Sequence, residues 1–576
     1  MMLFWVFLWV IGCDLGGCEE VEVDLTVDLA VGKVVGKMEG EKVCSFVGIP
    51  YGKAERWSKP TAVEHLPQSP FRATKEPAPC PQVEAGVFLD ENCLKLSLYA
   101  PVSALQRKRN NSTNFEGVPV IFWIFGGAYL IGGAWENGIY NGMHLASTLD
   151  CILVSFNYRV GALGFMVTDT LKGNYAIYDQ ILALEWVKKH ISAFGGNPSN
   201  ITLMGESAGA FSALLLLQSR EKEFSKAFIL SPPLALKLPT FKQAKRQGNA
   251  LLARLGCKPN DAECGRSKSV RQILANQPYI PNIAPPTTKV AAHFLVHMPI
   301  VDGDAVLAHP NVQHQWKIPV VIGTNQNELS LLSFFLNPND GPGGIPSHLF
   351  SHLGYITMLE FIFKEHATKV LLQYPARANP KDNWETLMDL FTDYIFRCPM
   401  RKMALEQSNA MLYHFEYIQG YLKSGECKRK CCHSTEIPLL FASLPSPKKA
   451  YLSVSNGYGH EECLDLLAGK KCTEAKLWNN PQQWLECSMC NLIENVSKRA
   501  DWAFTEADKE MINWFSSMIG QLIYSEQSKV AKPWEPFSRC RKIMKIVDAT
   551  SSSLHPEELN DKCNFWDSIA PNYDAF

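Results

Sequence analysis

A serine lies between two glycines in the segment TLMGESAGA, which spans residues 202–210. One residue separates Ser207 from Gly205 on one side and from Gly209 on the other. Small residues at this spacing let a chain leave a strand and enter a helix in one sharp turn, which exposes the serine hydroxyl. The pattern predicts a nucleophilic serine, although an ordinary glycine-serine loop would have the same sequence.

Serine chemistry requires partner groups, because a serine hydroxyl is a weak nucleophile at neutral pH. An imidazole must take its proton, a carboxylate must orient the imidazole, and N–H donors must hold the oxyanion. The segment Gly126-Gly127-Ala128 directly follows an apolar run and is the candidate for the oxyanion donors. The alternative is a plain turn at the end of a strand.

The candidate for the acid is Glu328, which follows the predicted strand PVVIG at residues 319–323. A carboxylate just past the carboxyl end of a parallel strand is well placed for the ligand crevice of the sheet. Asp302 and Asp304, in the segment VDGDAV, are competing candidates.

The candidate for the base is His433, in the segment CKRKCCHSTEIPLLF, where flanking cysteines can pin the loop. His460, in NGYGHEEC, is a rival base. His414 lies inside a predicted strand, so we expect it to be structural. These assignments keep the chain order Ser, acid, His that is typical of elbow-type hydrolases.

The apolar pattern predicts an α/β fold with a mostly parallel central sheet covered by helices on both faces. Near-continuous apolar runs predict buried strands at 118–125, 151–158, 201–204, 227–230, 319–323 and 411–417. Helical spacing predicts helices over 178–191 and 208–217. No linker divides the chain, so residues 18–576 are predicted to form one domain.

Composition and cysteine content indicate which partners and which compartment to expect. The 576 residues include 56 basic and 57 acidic side chains, so nothing indicates a nucleic-acid partner or an anionic membrane surface. The apolar start, residues 1–17, predicts a signal peptide rather than a membrane span. Eighteen cysteines then favour an oxidising compartment, either outside the cell or in the lumen of the endoplasmic reticulum. Glycosylation sequons occur at Asn110, Asn111, Asn200 and Asn495.

Eight segments follow one another in chain order: FVGIPYG, DENCLKLSLYAP, WIFGGAYLIGG, FNYRVGALGF, NYAIYDQILALEWVKKHISAFGGNPSNITLMGESAGA, TNQNE, HSTEIPLLF and CNFW. These segments resemble motifs of the type-B carboxylesterases, the carboxylesterase and cholinesterase family of the α/β-hydrolase fold. The resemblance covers nearly the whole mature chain and keeps the family order.

The resemblance implies a Ser-Glu-His triad of Ser207, Glu328 and His433, without a metal or an organic cofactor. It implies that the oxyanion donors are the N–H groups of Gly127, Ala128 and Ala208. It also pairs Cys80 with Cys93, Cys257 with Cys264, Cys398 with Cys563, and Cys427 with Cys432, although Cys431 competes for the last bridge.

Two departures from the family pattern bear on function. The short loop between Cys80 and Cys93 contains no tryptophan, so the indole that binds choline in cholinesterases has no counterpart there. A cysteine-rich insertion at about 460–492 has no family counterpart, and disulfides are expected there. Its Cys487-x-x-Cys490 pair beside His460 is also compatible with zinc.

The sequence therefore predicts a secreted serine carboxylic ester hydrolase that acts on small-molecule or lipid esters through an acyl-enzyme. Two alternatives remain open. One is a catalytically silent adhesion or binding module, since the family contains members that keep the fold and lose the triad. The other is a lipase that acts on acylglycerols or sterol esters with the same chemistry.

Overall fold

The computed structural model describes residues 24–82, 90–277, 296–311, 315–331, 350–422, 426–444, 503–525, 545–547, 552–554 and 558–573. The predicted signal peptide at 1–17 and the cysteine-rich insertion at about 460–492 lie outside these residues, as do His460 and Asn495.

Sixteen strands occur in the described residues. In chain order they are β1 (Thr26–Leu29), β2 (Gly32–Val35), β3 (Lys37–Glu39), β4 (Val43–Pro50), β5 (Gly52–Lys53), β6 (Thr61–Ala62), β7 (Phe71–Arg72), β8 (Lys95–Pro101), β9 (Val118–Ile124), β10 (Ile152–Phe156), β11 (Gly196–Glu206), β12 (Lys226–Leu230), β13 (Val320–Asn325), β14 (Ala410–Phe415), β15 (Lys545–Val547) and β16 (Ser552–Leu554).

One sheet of eleven strands forms the centre of the described fold, in the order β16-β15-β14-β13-β12-β11-β9-β10-β8-β4-β3. The strands from β15 to β10 run parallel, and antiparallel strands extend the sheet at both edges. Every residue of β9, β10, β12, β13 and β14 is buried. Burial on both faces is the physical reason for the near-continuous apolar runs. The predicted fold class is confirmed.

Fifteen α-helices are found in the described residues. They are α1 (Val102–Arg109), α2 (Met143–Leu149), α3 (Gly161–Phe165), α4 (Tyr175–His190), α5 (Ala208–Arg220), α6 (Phe241–Arg254), α7 (Ala262–Ser267), α8 (Val270–Asn276), α9 (His352–Phe363), α10 (Ala367–Gln373), α11 (Pro380–Thr392), α12 (Cys398–Leu405), α13 (Ile437–Leu440), α14 (Glu506–Tyr524) and α15 (Glu558–Ile569).

Two predicted element starts differ from the structure by three residues or more. Strand β11 begins at Gly196 rather than at residue 201, because Gly196 pairs with Val118 across a register shift that an apolar run does not reveal. Helix α4 begins at Tyr175 rather than at residue 178. Asn174, in the left-handed conformation with φ +57°, turns the chain into that helix. In both cases the earlier start of the element depends on backbone geometry and backbone pairing, which side-chain periodicity does not reveal.

Four disulfides are present in the described residues, and they join Cys80–Cys93, Cys257–Cys264, Cys398–Cys563 and Cys427–Cys432. Cys431 is a buried free thiol, as are Cys44 and Cys151.

The described sequons differ in accessibility. Asn110 and Asn111 are exposed, whereas Asn200 is half-buried and its Nδ2 donates to the carbonyl oxygen of Ile523. The two exposed asparagines are therefore better placed for glycosylation.

A buried ion pair anchors the segment that follows β10. The guanidinium of Arg159 donates through Nε to Asp179 Oδ2 at 2.8 Å and through Nη2 to Oδ1 at 2.7 Å. Asp179, on α4, is completely buried. Two residues past Arg159, the N–H of Gly161 donates to the carbonyl oxygen of Tyr129 at 2.6 Å. The pair thereby supports the loop after β9, which carries the candidate oxyanion donors.

Removing one partner of this pair leaves an uncompensated buried charge. We expect Asp179→Ala to lower the free energy of unfolding by about 3–5 kcal/mol, measured as a shift of the urea midpoint at constant slope. The matched control is Asp150→Ala, which breaks an exposed pair with Arg107 and should cost no more than about 1 kcal/mol. Equal losses in the two variants would contradict the prediction.

Candidate active site

Ser207 lies at the junction between β11 and α5, where its backbone takes the unusual values φ +56° and ψ −121°. The two glycines make this turn possible. A Cβ on Gly205 would come within 2.5 Å of the carbonyl oxygen of Gly209, and a Cβ on Gly209 would come within 2.1 Å of that of Ile124. The turn therefore has the strained strand-to-helix geometry that exposes a serine.

Glu328 follows β13 in a short 3₁₀ helix, Glu328–Leu331, and its side chain is completely buried. One carboxylate oxygen, Oε1, accepts a hydrogen bond from the N–H of Asn325 at 2.7 Å. The other oxygen, Oε2, lies 2.6 Å from Nδ1 of His433. This carboxylate orients the imidazole.

The loop that carries His433 is held from several sides. The Cys427–Cys432 disulfide closes it, and Asn325 Nδ2 donates to the carbonyl oxygen of Cys432 at 2.7 Å. The ring of Phe396 lies 5.2 Å from the imidazole, centre to centre. These contacts fix the position of the imidazole beside the carboxyl ends of β11 and β13.

The second imidazole nitrogen contacts a second carboxylate. Nε2 of His433 lies 3.1 Å from Oε1 of Glu206, the residue before Ser207, and the Glu206 side chain is only 4% exposed. No hydrogen bond joins Ser207 Oγ to His433 Nε2, although both residues are described. The imidazole thus lies between two carboxylates.

The charges around His433 favour its protonated form. Burial alone would lower the pKa of the imidazole, but the carboxylates of Glu206 and Glu328 outweigh burial and raise this pKa to about 9. Burial raises the pKa of Glu206, and the positive charge of His433 opposes that rise.

Sequence reasoning missed Glu436, a completely buried residue three positions after His433. Burial, together with the charges of Glu206 and Glu328, raises its pKa. Asn325 Nδ2 donates to Oε2 of Glu436, while Oε1 has no partner among the described residues. The only sequence signal is an acidic residue directly before the apolar run IPLLF, which is a weak one.

The loop after β9 is open towards the site. Gly127 and Ala128 are half-buried and have φ values of +99° and +56°. A Cβ on Gly127 would come within 2.3 Å of the carbonyl oxygen of Ile131, so only glycine fits there. The N–H groups of Gly127 and Ala128 donate to no other described group. Ala208, the first residue of α5, has no carbonyl partner within its own helix.

Comparison with protein families gives a match to the model described as the carboxylesterase family, over residues 23–456. This chain belongs to the carboxylesterase family. Family membership supports carboxylic ester hydrolysis as the general activity, and it confirms the resemblance that the motifs indicate.

Curated relatives of this carboxylesterase-family chain are similar over most of its length. The crystal protein of Dictyostelium discoideum is 34% identical over 62% of this chain and 64% of its own length. The cholinesterase of Mus musculus is 30% identical over 76% of this chain and 77% of its own length. The bile salt-activated lipase of Homo sapiens is 30% identical over 64% of this chain. The match covers 51% of the lipase, so this chain spans about half of its length.

Among solved structures, a thermophilic PNB esterase superposes with a TM-score of 0.68. The match covers 94% of this chain and 99% of the esterase, at 24% sequence identity. At that identity the likeness shows the fold.

The competing candidates from the sequence lie elsewhere in this carboxylesterase fold. Asp302 and Asp304 are exposed and both accept a hydrogen bond from the hydroxyl of Tyr178. His414 is buried on β14, where its Nδ1 lies 3.3 Å from Thr324 Oγ1. His460 lies outside the described residues. Of the predicted groups, the structure brings Ser207, Glu328 and His433 to one end of the sheet.

The described residues contain no group of three or more His, Cys, Asp or Glu side chains placed to hold a metal ion. The Cys487-x-x-Cys490 pair lies outside them. None of the described helices combines the length and the apolar character needed to cross a bilayer.

The close approach of α5 to β9 yields a stability prediction. In Gly209→Ala, the added methyl would meet the carbonyl oxygens of Ile124 and Phe125, and backbone atoms cannot move aside cheaply. We expect the free energy of unfolding to fall by at least about 2 kcal/mol, measured by urea denaturation. Gly520→Ala on α14, whose added methyl meets only the flexible end of Leu149 at 3.2 Å, is the control and should be nearly neutral. A neutral Gly209→Ala would contradict the close approach.

Proposed function

We propose that this protein is a secreted serine carboxylic ester hydrolase with a triad of Ser207, Glu328 and His433. The observation that carries the proposal is the 2.6 Å contact between Glu328 Oε2 and His433 Nδ1, beside a serine on a strained strand-to-helix turn. A buried carboxylate that orients an imidazole near a half-buried serine is the arrangement that serine hydrolases require.

In the first half of the reaction, His433 Nε2 takes the proton of Ser207 while Oγ attacks the carbonyl carbon of the ester. The resulting oxyanion is held by the N–H groups of Gly127, Ala128 and Ala208. Collapse of the tetrahedral intermediate breaks the bond to the alcohol, which leaves with the proton from His433. The acyl group remains on Ser207.

In the second half, His433 takes a proton from water, and the hydroxide attacks the acyl-enzyme. The second tetrahedral intermediate releases the carboxylic acid, and the proton on His433 returns to Ser207 Oγ. Glu328 stabilises the imidazolium that forms in each transition state. The steps balance with water as the only co-substrate.

The substrate class is a small-molecule or lipid ester. The cholinesterase relative does not imply a choline ester for this chain, because residues 80–93 contain no tryptophan. A lipase activity on acylglycerols or sterol esters is the second candidate, supported by similarity to the bile salt-activated lipase. Comparing short and long acyl chains, in solution and in micelles, distinguishes the two.

The location and the domain organisation belong to the same proposal. Residues 1–17 act as a signal peptide and residues 18–576 form one hydrolase domain. Four disulfides among the described residues support an oxidising compartment, since such bridges are rare in reduced cytosol.

The triad is tested by substituting the nucleophile. We expect Ser207→Ala to abolish hydrolysis of p-nitrophenyl acetate and butyrate, and also labelling by a fluorophosphonate, because both require Oγ. Circular dichroism checks that the fold is intact, and Ser219→Ala, at the far end of α5, is the control that should stay active. A folded wild type that neither hydrolyses the esters nor reacts with the fluorophosphonate would favour a silent binding module instead.

The pH dependence follows from the raised pKa of His433. The imidazole must be neutral to take the serine proton, so kcat/KM should rise as pH increases through about 9. In Glu206→Gln one of the carboxylates that raise this pKa is lost, and the rise should move to lower pH. Initial rates between pH 6 and pH 10, corrected with Ser207→Ala, measure both profiles. A wild-type profile that is flat over this range would contradict the assignment.

A further inference from the structure

Ser434, the residue after His433, has an unusual backbone. Its φ is +64°, in the left-handed region that residues other than glycine, asparagine and aspartate rarely adopt. In this conformation its hydroxyl donates to Oε1 of Glu206 at 2.7 Å. A strained residue that makes a hydrogen bond to a buried carboxylate at the site indicates a role in the chemistry.

The same carboxylate oxygen contacts the candidate base. Oε1 of Glu206 accepts the hydrogen bond of Ser434 at 2.7 Å and lies 3.1 Å from His433 Nε2. Nε2 is the atom that must bind the hydroxyl of Ser207 before proton transfer. The hydroxyl of Ser434 and the imidazole therefore share one oxygen atom as their partner.

We propose that Ser434 is a positioning residue whose hydroxyl donates to Glu206 Oε1 and offsets the negative charge that faces His433 Nε2, so that the base is neutral at lower pH. This inference rests on the proposed serine hydrolase function. It adds a residue that lowers the pKa of the catalytic base. Ser434 itself touches no reacting atom in the proposed mechanism, and it acts through Glu206.

The charges that face His433 come from three elements. Glu206 lies at the end of β11, Glu328 in the 3₁₀ helix after β13, and Glu436 directly before α13. The ring of Phe396 covers a further side of the imidazole. Of the three carboxylates, Glu206 is the one that contacts Nε2, so the hydroxyl that binds it controls that contact.

The direction of the effect follows from the base, which is active only when His433 is neutral. The hydroxyl of Ser434 donates to Glu206 Oε1 and partly offsets the charge of this carboxylate beside Nε2. Without the hydroxyl, that charge stabilises the imidazolium more strongly. The neutral, active form of His433 therefore appears only at higher pH.

The test is the pH profile of kcat/KM for p-nitrophenyl butyrate in Ser434→Gly. Glycine adopts a φ of +64° freely, so this variant removes the hydroxyl without adding backbone strain. We expect the rise of kcat/KM to move to higher pH by roughly one pH unit, the size expected from a hydrogen bond to a charged group. Rates near pH 7.5 should fall about tenfold, while those near pH 10 approach the wild type.

Three further variants distinguish an effect on the pKa of His433 from a merely structural role of Ser434. Ser443→Ala removes a half-buried hydroxyl that donates to the carbonyl oxygen of Gly138, and it should leave the profile unchanged. In Glu206→Gln the carboxylate is absent, so adding Ser434→Gly should produce no further shift. Ser434→Ala should reproduce the shift seen with glycine.

Each result supports or overturns a stated claim. An active Ser434→Gly whose profile is unshifted overturns the inference alone, as does a uniform loss of rate at every pH. A shift that persists unchanged in Glu206→Gln also overturns it, because the effect would not pass through Glu206. A wild type that neither hydrolyses the ester nor reacts with a fluorophosphonate at any pH overturns the proposed function and, with it, the inference.

Discussion

The site depends on the contacts between one mostly buried imidazole and two buried carboxylates. His433 faces Glu328 through Nδ1 and Glu206 through Nε2, at 2.6 and 3.1 Å. Low local polarity strengthens both interactions. The two carboxylates raise the pKa of the imidazole, although burial alone would lower it. The arrangement holds the imidazole firmly, but it also favours the protonated form, which cannot act as a base.

The parallel sheet supplies the geometry for this arrangement. Strands β11, β13 and β14 run in one direction, so their carboxyl ends meet at the same edge. Glu206 ends the first of these strands, Glu328 lies just past the second, and His433 follows the third. Residues more than a hundred positions apart thus converge without any local signal that connects them.

Buried charge and strained backbone occur together at this edge. Glu206, Glu328 and Glu436 are each stabilised by a specific donor, from Ser434, from the backbone of Asn325, and from the side chain of Asn325. Ser207 and Ser434 both have positive φ. Such features lower stability, and the surrounding sheet with its disulfides maintains them.

Part of this fold and site could be predicted from sequence alone. The doubly covered sheet follows from continuous apolar strands, and the turn at Ser207 follows from glycine spacing, because both depend on residues close together in the chain. The start of β11 and the burial of Glu436 could not be predicted in this way. They depend on a neighbouring strand and on distant carboxylates.

The sequence by itself determined the fold class, the elbow serine and the candidate acid and base, since local patterns and motif order specify residue types. Only the tertiary structure decided that His433 Nε2 faces Glu206, and that Ser434 donates to the same oxygen atom. These contacts arise where separate strand ends converge, and their distances and charges depend on the packed environment, which no local pattern records.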